Sequence, residues 1–433
     1  MAPVLDRPIV FATPYYPPFG AGGAEYTTSI HARLLVQAGH RVVVYTPNYG
    51  APECETRDGV EVRRYPLGVQ LALGQQVPAS VLYGFAHARA LARLIHSDFV
   101  ERAPLLIHAQ HAYSAIGVSA AAKVLSVPFV AHCRDTTMLC SHGAVCLMES
   151  GISRTPATCG PVQHGCCAAT RARPKDASSG LRAAAAVHSI LPYWHFQRRR
   201  RAYRSAARVA FASAGLADLH RGLVDFPAPD LFHVVYAAAE IPVSPSTIAP
   251  PDAVVALRAK EVPIILHVGK LSRGKGADIL AEAHRLLLQT HPNAQLVLAG
   301  VEHDDWGFDE ANTHFLGFVA RERIEPLYRA ADVVCAPASW PEPLGWSSLD
   351  AGRYGRPIVA TAVGGVPEAV EDRVNGLLVP PRQPTSLAKA LGWILDNPVE
   401  AQAMGARGLQ KIANTFGPEA VGRQLQALYA GLW

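Results

Sequence analysis

The sequence predicts an α/β fold with two doubly wound, Rossmann-like domains, each built on a mostly parallel sheet. In both halves of the chain, short apolar runs that are typical of buried strands alternate with helical patterns. In both halves a Gly-containing loop joins the first strand to the first helix. Between the halves, Ile241 to Pro251 is rich in Pro and Ser without periodicity, which is typical of a linker. We therefore predict domains over residues 1–245 and 252–415, followed by a last helix within 416–433.

The composition is that of a globular protein, because 49% of its 433 residues are hydrophobic and only 17% are charged. The net charge of +5 is scattered, apart from Arg198 to Arg201. Two interpretations of this run remain open. It is either a solvent-exposed helix face or a surface that contacts an anionic membrane or an anionic acceptor. No motif supports nucleic-acid binding. Met1 to Arg7 holds an acid and a base, and no apolar run reaches the roughly 18 residues that span a bilayer, so we expect a cytoplasmic protein.

The first half opens with the β–α–β pattern that an open parallel sheet requires. Arg7 to Ala12 predicts a buried strand, Ala24 to Ala38 a helix and Arg41 to Tyr45 a second strand. The loop before the helix contains Gly22 and Gly23, whose backbone N–H groups can approach a phosphate or a hydroxyl-rich ligand. Ordinary turn chemistry explains such a loop equally well.

His132 ends the strand predicted from Pro128, at the sheet edge where open α/β sheets bind ligands. From the residues alone, it is either a ligand contact or a histidine that caps a strand end. Further strands of this half are predicted at Val60 to Tyr65, Leu105 to His108, Arg208 to Ser213 and Phe232 to Tyr236.

A cysteine-rich insertion interrupts the α/β pattern from about residue 134 to 182. It contains Cys140, Cys146, Cys159 and Cys166 among Gly, Ser, Thr and Pro. Because thiols in a cytoplasmic protein are kept reduced, this density suggests a structural Zn²⁺ or an iron–sulfur cluster. Inert or partly disulfide-linked cysteines and a redox-sensitive loop remain alternatives.

The second half begins with a strand predicted from Val262 to Gly269 and a basic turn that contains Lys270, Arg273 and Lys275. Like charges this close repel each other unless an anion lies among them, so we expect the turn to bind a diphosphate. An ordinary basic surface turn is the alternative. The pattern then continues with strands predicted at Gln295 to Gly300, His314 to Gly317, Asp332 to Ala336, Pro357 to Ala360 and Gly376 to Val379.

The stretch from Pro341 to Asp350 combines two acids with a helix start. Pro343 suits the first positions of a helix, so Leu344 to Tyr354 is predicted to be helical, with its free N–H groups near Glu342. Gly345 carries no side chain, which lets an anion approach those N–H groups at the positive end of the helix dipole. A capped surface helix with two solvated acids is the alternative.

These motifs resemble the retaining glycosyltransferases of family 4, which have the GT-B fold. Glu342-Pro343-x-Gly345 followed by Asp350 is similar to the family's Glu-x7-Glu signature, although the second acid is usually Glu. The turn from Gly269 to Gly276 is similar to Gly-Arg-Leu-x-x-x-Lys-Gly, with Lys270 in place of Arg. The resemblance covers most of the chain and is most specific in its second half.

The resemblance implies two domains facing a central cleft, with the last helix crossing back to the first domain. It implies a hexosyltransferase-type enzyme that moves a sugar from a nucleotide diphosphate sugar to an acceptor hydroxyl with retention. The acceptor is not identified, and a saccharide, a lipid-linked molecule and a small molecule are all open. No cofactor is required for the chemistry, and no Asp-x-Asp is present that would bridge a diphosphate through a metal. The oligomeric state is not predicted.

The resemblance also assigns roles to individual residues. Lys270 and Lys275, with Arg273, stabilise the departing diphosphate. Glu342 and His132 contact the transferred sugar, and Asp350 contacts the ribose. The remaining donor contacts are Gly22, Gly23, Gly269, Phe318, Val319, Leu344 and Gly345.

Three rival functions remain open from the sequence. A nucleotide-sugar epimerase on the same architecture needs the same diphosphate site, and so does a non-catalytic nucleotide-sugar-binding protein. A hydride-transfer enzyme is the weakest rival, because neither Gly-rich loop has the Gly-x-Gly-x-x-Gly pattern with an acid at the expected distance.

Overall fold

The computed structural model describes residues 7–20, 22–71, 81–139, 160–161, 164, 189–223, 226–244, 247–301 and 305–433. The chain divides into two compact units. One comprises Met1–Ala238 together with Val421–Trp433, and the other comprises Ala239–Ala420. The two sheets of the predicted α/β fold are present, one in each unit.

The N-terminal unit contains a sheet of eight described strands in the order β3-β4-β2-β1-β5-β6-β7-β8. These strands are β1 (Ile9–Ala12), β2 (Val42–Asn48), β3 (Cys54–Arg57), β4 (Val60–Pro66), β5 (Leu106–Ala109), β6 (Phe129–Cys133), β7 (Arg208–Phe211) and β8 (Phe232–Val234). Its described helices before the linker are α1 (Gly23–Gln37), α2 (Val81–Phe99), α3 (Ala115–Leu125), α4 (Ile190–Arg204) and α5 (Ala214–His220).

The core of this unit lies between the sheet and its helices. The central strands β1, β5 and β6 are buried along their whole length, as expected for parallel strands covered on both faces. Alternate residues of these strands, such as Val10 and Ile107, pack with Leu91 of α2 and Val118 of α3 in one apolar cluster. The apolar runs in the sequence therefore predict these strands correctly.

β3 is a strand that the sequence analysis did not predict. It pairs antiparallel with β4, whereas the other described pairs of this sheet are parallel. The two strands are joined by Asp58 and Gly59, which both have positive φ angles, of 51° and 78°. Asp-Gly is the residue pair that two-residue hairpins favour, so the signal was present in the sequence.

The C-terminal unit contains a parallel sheet of six described strands in the order β11-β10-β9-β12-β13-β14, which is the doubly wound order 3-2-1-4-5-6. These strands are β9 (Ile264–Val268), β10 (Gln295–Ala299), β11 (Thr313–Gly317), β12 (Val333–Ala336), β13 (Ile358–Thr361) and β14 (Leu377–Val379). The described helices of the rest of the chain are α6 (Asp252–Ala259), α7 (Ala277–Leu287), α8 (Glu325–Ala330), α9 (Trp346–Arg353), α10 (Val366–Ala369), α11 (Pro384–Asp396), α12 (Pro398–Lys411) and α13 (Pro418–Tyr429).

The end of the chain packs within the N-terminal unit. The hydroxyl of Tyr429, on α13, lies 2.6 Å from Nδ1 of His108 on β5. Arg208 of β7 donates hydrogen bonds to the backbone carbonyls of Ala427 and Ala430. Val421, Leu425 and Leu428 are fully buried, so the apolar stripe of this helix is covered.

The arginine run on α4 is not a solvated helix face. Arg198 and Arg201 are exposed, but Arg199 and Arg200 are buried. The guanidinium of Arg199 lies 4.9 Å from the ring centre of Tyr113, at cation–π distance. Successive residues of an α-helix are rotated by about 100°, so residues 199 and 200 lie on the inner side of α4 and residues 198 and 201 on the outer side. The described part of the chain contains no helix with the length and hydropathy of a membrane span.

Candidate active site

A pocket lies in the C-terminal unit at the carboxyl ends of β9 and β12. These two strands are neighbours at the point where the strand order reverses, which is where doubly wound sheets bind ligands. The pocket has a volume of about 330 Å³ when the part open to solvent is counted. Its lining residues are His267, Val268, Lys275, Ala336, Pro337, Ala338, Glu342, Gly345, Ser347, Ser348 and Val366.

Lys275 reaches the pocket from a short 3-10 helix, Arg273–Lys275, which follows β9. The backbone N–H of Lys275 donates to the Ser272 hydroxyl at 3.3 Å, which closes this turn. Gly276 has a φ of 78°, and a Cβ placed there would lie 1.9 Å from the carbonyl oxygen of Pro337. Only glycine fits this close approach of two backbones, so Gly276 holds the turn of Lys275 against the loop after β12.

Lys275 and Glu342 form a two-pronged ion pair inside the pocket. The Lys275 Nζ donates to Oε1 of Glu342 at 2.9 Å and to Oε2 at 2.7 Å. The indole N–H of Trp340 also donates to Oε2, at 2.6 Å, and Lys275 Nζ lies 5.2 Å from the centre of the Trp340 ring. The pocket therefore holds one cation and one carboxylate that orient each other.

The chain around Glu342 is held by glycines. Gly364 has a φ of 53°, and a Cβ there would lie 2.1 Å from the Glu342 carbonyl oxygen. The next N–H, of Gly365, donates to that same oxygen at 2.8 Å. Because a side chain at Gly364 would push this loop away, the glycine is needed to keep Glu342 at the pocket.

The helix α9 begins at the pocket, two residues later than predicted. Gly345 has a φ of 80°, which is not helical, so the helix starts at Trp346 rather than Leu344. Gly345 and the first-turn serines Ser347 and Ser348 line the pocket together with Lys275. The positive end of the helix dipole and a lysine thus border the same space, which is an arrangement that favours an anion.

Asp350 lies further along α9 and does not line this pocket. Its side chain is only 2% exposed. Arg321 donates to both of its oxygens, at 2.6 and 2.8 Å, and Arg353 donates to Oδ1 at 3.3 Å. The Arg321 guanidinium also lies 4.5 Å from the ring centre of Trp346. The carboxylate is therefore held by two cations within its own unit.

The other predicted donor contacts of this unit have different degrees of exposure. Lys270 and Arg273 are exposed and do not line the pocket, so Lys275 is the cation of the predicted trio that does. Phe318 is 57% exposed beside half-buried Val319, in the turn after β11. The remaining two predicted donor contacts of this unit are Gly269, with a φ of 153°, and Leu344, which is buried.

His132, Gly22 and Gly23 lie in the N-terminal unit. His132 is the next-to-last residue of β6 and is fully buried, and both of its ring nitrogens lack a hydrogen-bond partner among the described residues. Its ring stacks between those of His108 and His31, at centroid distances of 5.5 and 5.9 Å. Burial, and then the nearby Arg134 charge, hold the pKa of His132 well below its usual range, so the ring is neutral.

The glycine loop is tied to the first turn of α1. The N–H of Gly22 donates to Glu25 Oε2 at 3.0 Å, as in the reciprocal half of a capping box. Gly23 is the first residue of α1. The N–H of Gly22, which was predicted to contact a ligand, therefore already donates to the Glu25 side chain.

The predicted metal ligands Cys140, Cys146, Cys159 and Cys166 lie outside the described residues. Within the described part of the chain, no group of three or more His, Cys, Asp or Glu side chains is placed to hold a metal ion. The described cysteines Cys54, Cys133 and Cys335 are free thiols.

Several residues of this region were not predicted from the sequence. Trp340, Arg321 and Arg353 are partners of the two predicted acids, and His267 lines the pocket. His267 had a signal, because it is a polar residue near the carboxyl end of an apolar strand. Arg321 had none, because it precedes Asp350 by 29 positions and only the fold brings them together.

Two family profiles match the chain. The profile described as "Glycosyl transferase 4-like domain" matches residues 22–237, and "Glycosyl transferases group 1" matches residues 252–411. Together they span most of both units.

Curated relatives are similar to parts of the chain. An uncharacterized glycosyltransferase of Methanocaldococcus jannaschii is 37% identical over 142 residues, which are 31% of this chain and 36% of the relative. A D-inositol 3-phosphate glycosyltransferase of Kribbella flavida is 34% identical over 203 residues, which are 42% of this chain and 47% of the relative. The chain thus matches less than half the length of these relatives.

Solved structures share the fold over almost the whole chain. Alr3699/HepE of Anabaena, solved with UDP and glucose, has a TM-score of 0.66 at 20% identity and covers 98% of this chain and 100% of its own. The sucrose-phosphate synthase of Thermosynechococcus elongatus has a TM-score of 0.69 at 19% identity, covering 98% and 99%.

Proposed function

Because the chain belongs to the family 4 glycosyltransferases and has their GT-B fold, we propose that it transfers a hexosyl group from a nucleotide diphosphate sugar to an acceptor hydroxyl, with retention at the anomeric carbon. The bond between the anomeric carbon and the diphosphate oxygen breaks, and the diphosphate leaves with the bonding electrons. The anomeric carbon then bonds to the acceptor oxygen, whose proton passes to the departing diphosphate.

One observation carries this proposal: Lys275 and the start of α9 at Gly345 border the same pocket. Negative charge develops on the leaving diphosphate, and fixed positive groups at that point stabilise the transition state more than the ground state. Lys275 supplies a full charge and the helix start supplies backbone N–H groups. The two lie where doubly wound sheets bind nucleotides.

Glu342 supports the sugar half of the proposal. Its carboxylate lines the pocket beside Lys275 and is held in place by Trp340. A fixed carboxylate is a strong acceptor for sugar hydroxyls, so Glu342 is the residue that we propose for contact with the transferred sugar. Asp350 is proposed as the ribose contact; because its side chain is only 2% exposed, this contact requires a ribose hydroxyl to replace Arg321 at one of its oxygens.

A panel of UDP-, GDP- and ADP-linked hexoses tests the proposal, with UDP first because a structural neighbour was solved with UDP and glucose. We expect at least one donor to raise the melting temperature, since a ligand that binds only the native state stabilises it. Anomer-resolved NMR of the transfer product then tests retention. An epimerase would convert the donor without any acceptor, which NMR of donor and protein alone reveals. If no donor in the panel stabilises the protein, the proposal is wrong.

A further inference from the structure

His267 is a buried histidine in the pocket that the proposed function does not use. It belongs to β9, the first strand of the C-terminal sheet, and it is 3% exposed. It lines the same pocket as Lys275 and Glu342. A polar ring at this position needs a physical reason, because the other strand residues beside it are apolar.

The hydrogen bond of His267 defines which nitrogen carries the proton. Nδ1 lies 3.0 Å from the backbone carbonyl oxygen of Cys335 on β12. A carbonyl only accepts, so Nδ1 is the donor and carries the hydrogen. Burial lowers the pKa of His267 to about 4, the Cys335 contact opposes this, and the Lys275 charge adds to it. The ring is therefore neutral at pH 7, with its lone pair on Nε2.

Nε2 of His267 is buried and has no hydrogen-bond partner among the described residues. A buried acceptor that lacks a partner is costly, so a pocket ligand that donates a hydrogen bond to it gains affinity. An ionised phosphate oxygen carries no hydrogen and cannot be that donor. The Glu342 carboxylate is another acceptor among the residues that line this pocket. Acceptors on the lining of one pocket suit a group that carries several hydroxyls.

We propose that Nε2 of His267 accepts a hydrogen bond from a hydroxyl of the carbohydrate part of the nucleotide sugar, which makes His267 a specificity-determining residue of the donor pocket. The inference rests on the proposed function, because it needs a donor sugar in this pocket. The group that donates to Nε2 is a sugar hydroxyl, and it belongs either to the transferred hexose or to the ribose.

The experiment measures dissociation constants by calorimetry for wild type, His267→Phe and His267→Gln. The ligands are the panel donor that raises the melting temperature most, its free nucleoside diphosphate, and its monodeoxy analogues. His267→Phe removes both ring nitrogens at similar size, and we expect it to weaken donor binding about 3- to 10-fold. If His267→Phe weakens binding of the nucleotide sugar but not of the free nucleoside diphosphate, the bonded hydroxyl belongs to the hexose. If it weakens binding of both ligands equally, the hydroxyl belongs to the ribose.

The monodeoxy analogues separate a ligand contact from a structural effect. In wild type, the analogue that lacks the bonded hydroxyl should bind about 3- to 10-fold more weakly than the parent, and in His267→Phe the two should bind equally. His267→Gln keeps an acceptor and should restore part of the discrimination; it also replaces His267→Phe if that variant does not fold. If every analogue shows the same ratio to its parent in all three proteins, the proposal for His267 is overturned while the proposed function stands. If no donor binds wild type, both proposals fail.

Discussion

The ammonium of Lys275 lies within 2.9 Å of both carboxylate oxygens of Glu342, although 67 positions separate the two residues in the chain. In the proposed function, a diphosphate at Lys275 would compete with this carboxylate for the same N–H donors. Binding of the anion would then be coupled to the position of Glu342 and would release its oxygens for hydroxyl groups.

Lys275→Ala should reduce the turnover of glycosyl transfer by about 10²- to 10³-fold, the typical effect of removing one group that stabilises developing charge. Stability should change by no more than about 1–2 kcal/mol, because the Lys275 side chain is 31% exposed and Trp340 still bonds Glu342. Initial rates and thermal melting measure the two effects. Lys389→Ala, an exposed lysine on α11, is the control. Full activity of Lys275→Ala would show that the leaving-group site is elsewhere.

Gly276→Ala should destabilise the protein by about 2–4 kcal/mol. The new Cβ would lie 1.9 Å from the Pro337 carbonyl oxygen, and the φ of 78° adds strain of its own. Gly222→Ala is a matched control, because Gly222 has a φ of 80° and its Cβ would meet no described atom within 4 Å. Urea unfolding of both variants isolates the cost of the clash. Equal losses in the two variants would mean that the close approach at Gly276 does not matter.

Asp350→Ala should cost about 3–5 kcal/mol, because it leaves the Arg321 and Arg353 charges without their buried carboxylate. Asp218→Ala removes a surface partner of Arg221 at the same i,i+3 spacing and should cost less than about 1 kcal/mol. Denaturant unfolding compares the two. A loss below about 1 kcal/mol in Asp350→Ala would argue against the structural role of this pair.

Acidification should destabilise the N-terminal unit through His31. Burial, and then the Arg134 charge, lower the pKa of His31 to about 3, against an unfolded value of about 6.5. The unfolded chain therefore takes up a proton first as the pH falls. The stabilisation from a neutral His31 is fully present above pH 6.5 and is lost progressively between about pH 6.5 and 3.

The measurement is the pH dependence of the unfolding free energy in urea between pH 7.5 and 5. Near pH 5 the slope for His31→Gln should be smaller than that for wild type by about 1.4 kcal/mol per pH unit, which corresponds to one proton. Identical slopes would indicate that His31 is already protonated in the native state, or that its pKa is not lowered.

The strands and helices were largely predictable, because local periodicity reports burial. β1, β6 and β9 are apolar runs in the sequence and fully or nearly fully buried strands in the structure. The errors have local causes. β3 is too polar to read as a strand, and α9 starts late because Gly345 adopts a positive φ. Arg199 and Arg200 were misjudged because a run of charges does not tell which of its members turn inward.

The sequence by itself determined the α/β alternation, the glycine-bearing turns, and the candidacy of Lys275, Glu342 and Gly345, because these follow from residue type and short-range spacing. Only the tertiary structure decided that Lys275 bonds Glu342, that Arg321 holds Asp350, and that His267 lines the same pocket with a buried Nε2 that has no partner among the described residues. The physical reason is that contacts between residues distant in the chain, and the desolvation that sets the pKa of His267, depend on how strands and loops pack.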